Sequence, residues 1–117
     1  MRLFVNLATG SEDPTRTALA FLVARTAMDE GHEVRLFLAG DAVQLARPET
    51  AEAVHGIGTG PLAEHWRALT DAGVPVFLSK LSSLARGVAP GPESGAELAP
   101  PTKLVELAAW AETTLAY

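Results

Sequence analysis

The architecture of this chain follows from residues 2–38, which read RLFVNLATGSEDPTRTALAFLVARTAMDEGHEVRLFL. Residues 2–7 and 33–38 are nearly continuous apolar runs, a pattern typical of strands that are buried on both faces. Between them, Asp13 before a proline indicates a helix N-terminus, and Gly31 suits a left-handed cap at the helix C-terminus. A strand, a helix and a second strand in this order indicate a parallel βαβ unit with a right-handed crossover.

The first helix is apolar over much of its circumference. Its leucines and valine recur at helical spacing, as Leu19, Leu22 and Val23, and Ala27 continues the series. Because so little of this helix is polar, we expect it to be covered on more than one side.

The rest of the sequence continues the alternation of strands and helices. A helix that opens at Pro61 and ends at Gly73 leads to a third strand over 74–78. The other predicted segments are a short helical stretch over 42–46, an irregular loop over 47–60, a loop with one helical turn over 79–87, a fourth strand over 96–98, a last helix over 102–112 and a closing strand over 113–117. We therefore predict an α/β fold, a three-layer α/β/α sandwich with a mainly parallel sheet of four or five strands, in one domain over 1–117.

The composition excludes several classes of function. With 9 basic against 14 acidic residues and no cluster of Lys or Arg, the chain does not predict a nucleic-acid surface. No apolar run is long enough for a membrane span, and the N-terminus lacks a signal-peptide pattern, so we expect a cytoplasmic protein. The chain has no cysteine, which excludes thiolate metal sites and thiol catalysis, and its three histidines match no zinc spacing. We expect neither a metal nor a cofactor.

The candidate ligand site lies where parallel strands end. In open α/β sheets, ligands bind beyond the carboxyl ends of the strands. That rule selects the segments Thr9–Asp13, Gly40–Asp41 and Ser79–Arg86. The candidate ligand-binding residues in them are Gly10, Ser11, Asp41, Ser79, Ser82 and Arg86.

Each candidate also has a structural interpretation. The amides around Gly10 could bind an anion at a helix N-terminus, or Glu12 and Asp13 could simply cap that helix. Asp41 could orient a ligand or cap the 42–46 stretch. Arg86 could bind a carboxylate or phosphate, or form a salt bridge at the rim.

The same segments carry the residues that acid–base chemistry would need. Asp41 and Glu12 are the candidate carboxylates, and His55, in a loop with three glycines, is the candidate imidazole. The alternative for His55 is a mobile surface loop. His65, on the helix that follows, is expected to be exposed.

The ordered set of motifs resembles the DsrE/DsrF-like family, which includes YchN-like and TusD-like proteins. The resemblance rests on VNLATGSEDPTRTALAFLVARTAMDEGHEVRLFLAGDAV at 5–43, LTDAGVPVFLS at 69–79, LARGV at 84–88 and the closing TTLAY. It implies an α/β sandwich and a homo-oligomer, a trimer or a hexamer. Several members carry sulfur as a cysteine persulfide, and the acceptor cysteine follows the strand that reads VPVFL here.

This sequence has Ser79 at that place, and Ser82 where some relatives have a second cysteine. A persulfide needs a soft, easily ionised sulfur, which a serine hydroxyl cannot replace. The leading hypothesis is therefore a cysteine-free member that binds a small molecule or serves in assembly. The alternatives are a non-thiol enzyme that uses Asp41, Glu12 or His55, and a subunit that needs a related, cysteine-bearing sulfur-relay partner.

Overall fold

The strands form a five-stranded, fully parallel sheet with a small hairpin beside it. The structure is a computed structural model that describes all 117 residues. Its strands are β1 (Arg2–Leu7), β2 (Glu33–Leu38), β3 (His55–Gly56), β4 (Gly60–Pro61), β5 (Val76–Ser79), β6 (Ala96–Ala99) and β7 (Thr113–Ala116). The sheet order is β6-β5-β2-β1-β7, and β3 pairs with β4 in the antiparallel hairpin. The direction of the strand order reverses between β1 and β7, as at the switch point of doubly wound folds.

Five α-helices connect the strands. They are α1 (Pro14–Asp29), α2 (Pro48–Ala53), α3 (Leu62–Asp71), α4 (Lys80–Arg86) and α5 (Pro101–Trp110), and there are two 3-10 turns at Gly40–Ala46 and Pro92–Ser94. Helix α1 begins after Asp13, whose side chain accepts the Arg16 N–H, and Gly31 follows its end with a φ of 89°. No helix has the length and apolar character that crossing a bilayer requires.

Two predicted loops contain helices. Residues 47–60 hold α2 and the hairpin, and most of 79–87 is α4. Proline at the first position favours α2, and the Arg47 carbonyl accepts the Thr50 and Ala51 N–H groups. Ser79 caps α4, and Gly87 ends it in the left-handed conformation at a φ of 64°. Both helices are short, so their apolar periodicity is too brief to distinguish them from a loop.

Alternate side chains of each central strand pack on opposite faces of the sheet. In β1, Leu3, Val5 and Leu7 belong to a main core of 21 buried residues, whereas Phe4 points to the other face. Phe37 of β2 and Phe77 of β5 pair in register and lie on the Phe4 side. The period of two along a strand requires this separation when both faces are covered.

The second face is covered by α5 alone. Its core has five buried residues, namely Phe4, Phe37, Phe77, Ala99 and Leu107. Two cations extend this layer: the Arg35 guanidinium lies 4.0 Å from the Trp110 ring centroid, and the Lys103 ammonium lies 5.2 Å from that of Phe77. With α1 and α3 on the main core, the helices form layers on both faces, and the predicted α/β/α sandwich is confirmed.

The hairpin packs against α1 and buries a histidine that the sequence analysis places at the surface. The Ile57 N–H donates to Thr15 Oγ1 at 3.1 Å, which holds the hairpin on the first turn of α1. His65 is only 6% exposed, its Nε2 lies 2.7 Å from the Thr59 carbonyl, and its Nδ1 lies 3.4 Å from an Arg25 nitrogen. The prediction of an exposed His65 is wrong, because the hairpin folds over the side of α3 that carries it.

The contacts of the Glu112 carboxylate predict that the stability of the protein depends on pH. Its carboxylate accepts the Arg2 N–H at 3.0 Å, and this hydrogen bond, followed by the Arg2 charge, lowers the pKa of Glu112 below its ordinary value of 4.5. A lowered folded-state pKa stabilises the protein above the unfolded-state pKa, and that contribution disappears as the pH falls through the folded-state pKa. We expect Glu112→Gln to unfold at a lower urea concentration than wild type at about pH 7. At strongly acidic pH, the two proteins should unfold at the same urea concentration.

The control for this measurement is Glu97→Gln, an exposed carboxylate on β6 that forms no ion pair. Its urea midpoint should follow that of wild type at both pH values. A Glu112→Gln deficit that stays constant across the titration would contradict the assigned cause.

Candidate functional site

Three loops meet at the carboxyl edge of the sheet, as the strand-end rule predicts. The loop after β1 rests directly on the loop after β2: a Cβ placed on Gly10 would lie 2.5 Å from the Asp41 carbonyl oxygen. The loop after β2 is tied to α4, because the Gly40 N–H donates to Ser82 Oγ at 2.9 Å. Gly10, which is buried, thus lies close to Asp41, and the loop that carries Asp41 is joined to Ser82 at the same edge of the sheet. We call the carboxyl-edge residues Gly10, Ser11, Asp41, Ser79, Ser82 and Arg86 the rim.

Ser79 and Ser82 form the start of α4. Ser79 is the last residue of β5 and is 9% exposed, and its Oγ accepts the Ser82 N–H at 3.1 Å. Both hydroxyl oxygens therefore accept a backbone N–H, as capping residues do. Neither hydroxyl donates to a protein acceptor, so each keeps one proton for a further partner.

Asp41 and Arg86 form a salt bridge across the rim. Arg86 Nε lies 3.0 Å from Asp41 Oδ1, and Arg86 Nη1 donates to the Ser82 carbonyl at 3.2 Å. The Asp41 side chain is 61% exposed, so solvent screens the pair and limits its effect on stability. Asp41 does not cap the 3-10 turn, which begins at Gly40 without a side-chain cap, and that alternative is wrong. The Asp41 carboxylate forms an ion pair with Arg86 instead.

The amides before α1 are already occupied by the carboxylates of the chain itself. Glu12 Oε1 accepts the Gly10 N–H at 2.6 Å, and Asp13 Oδ1 accepts the Arg16 N–H at 3.2 Å. From beneath, the buried Thr17 hydroxyl donates to the Gly10 carbonyl at 2.8 Å. The segment is a capped helix start in which negative side chains face the positive end of the helix dipole. Ser11 is exposed beside it.

His55 lies apart from the rim carboxylates. It is exposed on the hairpin, and its Nε2 is 3.1 Å from the Glu52 carbonyl oxygen. Asp41 bonds to Arg86 and Glu12 bonds to the Gly10 amide, so none of the three acid–base candidates is hydrogen-bonded to another. The structure therefore does not bring two of these side chains within hydrogen-bonding distance of each other, as the hypothesis of a non-thiol enzyme expects.

Two residues that shape the rim are not among its predicted ligand-binding residues. Gly40, with a φ of 54°, makes the turn that aims its N–H at Ser82. Arg47 donates from Nη2 to the carbonyls of Arg86 and Gly87, at 3.1 and 3.3 Å, which fixes the end of α4. A glycine two positions after the end of a strand could have indicated the first. Nothing local to Arg47 indicates the second, because its partners lie 39 and 40 residues away.

Substitution by alanine is expected to affect stability in opposite ways at Ser82 and at its neighbour Ser83. Ser82→Ala removes the acceptor of the part-buried Gly40 N–H and should lower the free energy of unfolding by about 1–2 kcal/mol. Ser83 Oγ is fully buried without a partner, so Ser83→Ala should leave stability unchanged or raise it. Urea denaturation of both variants measures the contrast, and a Ser82→Ala variant as stable as Ser83→Ala would refute the assigned role.

Comparison with known proteins agrees with this geometry. The whole chain, residues 1–117, matches the DsrE/DsrF-like family. The chain belongs to the DsrE/DsrF-like family. Among solved structures, the YchN protein from E. coli is 25% identical with a TM-score of 0.76, and the match covers 100% of both chains. A conserved protein of unknown function from Bacteroides thetaiotaomicron is 16% identical with a TM-score of 0.67, over 99% of this chain and 94% of that one, and supports the fold alone. No curated protein matches.

Membership in the DsrE/DsrF-like family gives the serine at the end of β5 its significance. The family is related to sulfur-relay proteins, and this chain contains no cysteine. Its residue at the strand end, Ser79, offers a hydroxyl that caps α4. The DsrE/DsrF-like fold is therefore present here in a chain that has a serine at the carboxyl edge of β5 and no thiol.

Proposed function

We propose that this chain is a DsrE/DsrF-like binding or assembly subunit that does not carry persulfide sulfur. One observation carries the proposal: a chain without cysteine has a helix-capping serine, Ser79, at the end of β5. Sulfane sulfur is held on a thiolate because sulfur is polarisable and ionises near neutral pH. A hydroxyl has neither property, so the rim has no atom on which relay sulfur could be stored.

The proposed ligand site is the rim, with a small molecule contacting Gly10, Ser11, Asp41, Ser79, Ser82 and Arg86. Three features support it. The loops are held together by hydrogen bonds that span the chain, the Ser79 and Ser82 hydroxyls each have an unused donor, and the Arg86 guanidinium lies beside them. A ligand with acceptor oxygens would match these donors.

The proposed assembly is a cytoplasmic homo-oligomer, a trimer or a hexamer. Large apolar side chains remain at the surface on the helices beside the sheet: Leu81 and Leu84 of α4 are 63% and 67% exposed, and Val105 of α5 is 66% exposed. Exposed apolar groups of this size are common at protein–protein interfaces. A further copy of the chain would remove them from water.

The sulfur part of the proposal is tested by sulfur loading. The chain is incubated with inorganic polysulfide, freed of excess donor, and assayed for bound sulfane sulfur by mass spectrometry and cyanolysis. Wild type should hold none. The Ser79→Cys and Ser82→Cys variants show that the donor is competent and the assay sensitive. A stable sulfane adduct on wild type, or faster sulfur transfer from donor to acceptor in its presence, would refute the proposal.

The assembly part is tested by multi-angle light scattering across a wide concentration range. A mass of three or six chains is expected, and a monomer mass throughout would contradict it. Leu84→Glu should shift the distribution towards smaller species, whereas Glu97→Gln, at another exposed site, should not. Co-purification with a related cysteine-bearing chain, in place of self-assembly, would favour the alternative of a sulfur-relay partner subunit.

A further inference from the structure

A second candidate site lies away from the rim. It is a cavity of about 300 Å³ between α2, α3, the 3-10 turn at Gly40–Ala46 and the turn at Pro92–Ser94. Its inner wall is apolar and includes the buried side chains of Leu45, Ala63 and Trp66. No rim residue lines it. Its volume is at the lower end of the range of about 300–1,000 Å³ that small-molecule sites occupy.

The cavity wall is held in place by the packing of Trp66. The indole Nε1 donates to the Ser94 carbonyl at 2.7 Å, and the indole ring stacks on Phe21 with centroids 5.3 Å apart. The turn is pressed onto α3 so closely that a Cβ on Gly95 would lie 2.7 Å from the Thr70 side chain. These contacts fix the cavity before any ligand arrives, which lowers the entropy lost on binding.

The hydrogen-bond partners of the lining residues occupy both side-chain hydroxyl donors and pair the one lining cation. The hydroxyl donors are used: Thr70 Oγ1 donates to the Trp66 carbonyl at 3.0 Å, and Ser94 Oγ donates to the Gly91 carbonyl at 2.8 Å. Arg67 is paired with Glu52 at 3.2 Å. The remaining charged groups are the carboxylates of Asp71 and Glu93, which are exposed and take part in no hydrogen bond or ion pair.

These observations define the complementary ligand. An apolar interior beneath two unpaired carboxylates accepts a hydrocarbon body that ends in a positively charged hydrogen-bond donor. A carboxylate or phosphate ligand would meet net negative charge. We propose that this cavity binds a small organic amine, a primary or secondary ammonium on an apolar body, with the ammonium between Asp71 and Glu93. The proposal does not depend on the function assigned to the rim.

The first test compares two probes that share a ring and differ in charge. Phenethylamine and phenylpropionate are titrated separately into the isotope-labelled full chain, and amide and indole shifts are followed by NMR. The amine should cause saturable shifts at Ala63, Ser94 and the Trp66 indole, and high salt should weaken its binding. Phenylpropionate should cause no saturable shifts at these positions. Absence of saturable shifts with the amine, or equal binding of the two probes, would overturn the proposal.

The second test removes the charges. The double variant Asp71→Asn, Glu93→Gln should bind phenethylamine at least about tenfold more weakly. The control, Glu64→Gln with Glu97→Gln, removes the same charge from exposed carboxylates that form no ion pair and do not line the cavity. It should bind as wild type does. Ala51→Leu, which fills the cavity and leaves both carboxylates intact, should also lose binding. If both double variants lost the same amount of affinity for phenethylamine, the loss would be explained by the overall charge of the protein, and the proposed site would be refuted.

Discussion

Phe37→Ala should lower the free energy of unfolding by about 3–5 kcal/mol, the largest stability loss expected from a single substitution here. Phe37 is 2% exposed and lies on the central strand β2, in register with Phe77. The core under α5 has only five buried residues, so few side chains can move to fill the space. The loss therefore includes both the transfer of the ring from water and the cavity that it leaves.

Urea denaturation followed by circular dichroism measures this effect. Val105→Ala, on the solvent side of α5 and 66% exposed, is the matched control and should change stability by no more than about 0.5 kcal/mol. A Phe37→Ala loss below about 1 kcal/mol would mean that α5 can collapse onto the sheet, contrary to the close packing that protein cores normally show.

Gly10→Ala should disrupt the rim and cost about 3 kcal/mol, at the upper end of the range for overpacking. The new methyl group would lie 2.5 Å from the Asp41 carbonyl oxygen and 3.1 Å from Glu12 Oε1. Glu12 can rotate away, but the Asp41 oxygen belongs to the backbone, so the loop after β2 must move. That movement should weaken the hydrogen bond between the Gly40 N–H and Ser82 Oγ.

Amide chemical shifts, together with a comparison variant, separate this effect from general instability. Amide shifts should change at Gly40 and Ser82, on the far side of the contact, while the hairpin is unaffected. Gly58→Ala is the comparison: its φ of 77° implies about 1 kcal/mol of backbone strain, yet its Cβ would meet nothing within 4 Å. Shifts in Gly58→Ala should stay in the hairpin. If Gly10→Ala leaves the Gly40 and Ser82 amides unmoved, the two loops are not in the contact described.

The central strands and the start of the first helix could be predicted accurately from the sequence. Strands 2–7 and 33–38 match β1 and β2 at both ends, because a strand buried on both faces is mostly apolar and a polar or glycine residue follows within two positions of its end. Asp13 followed by Pro14 marks the start of α1 for an equally local reason, the capping of free N–H groups. The third strand is less accurate: it was predicted at 74–78 and spans Val76–Ser79.

The buried face of α1 is only partly given by its apolar spacing. Leu19, Leu22, Val23 and Ala27 recur at helical spacing with Phe21, Ala24 and Met28 beside them; of these, Phe21 and Ala24 are fully buried, whereas Leu19 is 39% exposed. The fully buried positions are Thr17, Ala18, Ala20, Phe21 and Ala24, which are mostly small. Small residues let the helix approach the sheet and the hairpin closely, and Phe21 fills the remaining space against Trp66. Residue hydrophobicity alone cannot anticipate that choice, since it depends on the spacing of the neighbouring elements.

The position of the candidate site could be predicted from the sequence, but the pairing of its side chains could not. The strand-end rule selects three loops from the sequence, and these loops meet in the structure because parallel strands place their carboxyl ends on one edge regardless of side chains. The pairing of Arg86 with Asp41, 45 residues away, does not follow from that rule, nor does the use of the Glu12 carboxylate by the Gly10 amide. These partners are chosen by loop conformation, which sequence patterns describe poorly.

The sequence by itself determined the α/β class, the alternation of strands and helices, the two central strands and the absence of a thiol, since each follows from local residue chemistry and periodicity. Only the tertiary structure decided that α5 alone covers the second face, that His65 is buried, and that Asp71 and Glu93 line the same cavity. The physical reason is distance along the chain. Capping and periodicity act between near neighbours, whereas packing, cavities and ion pairs join residues that only the folded chain brings together.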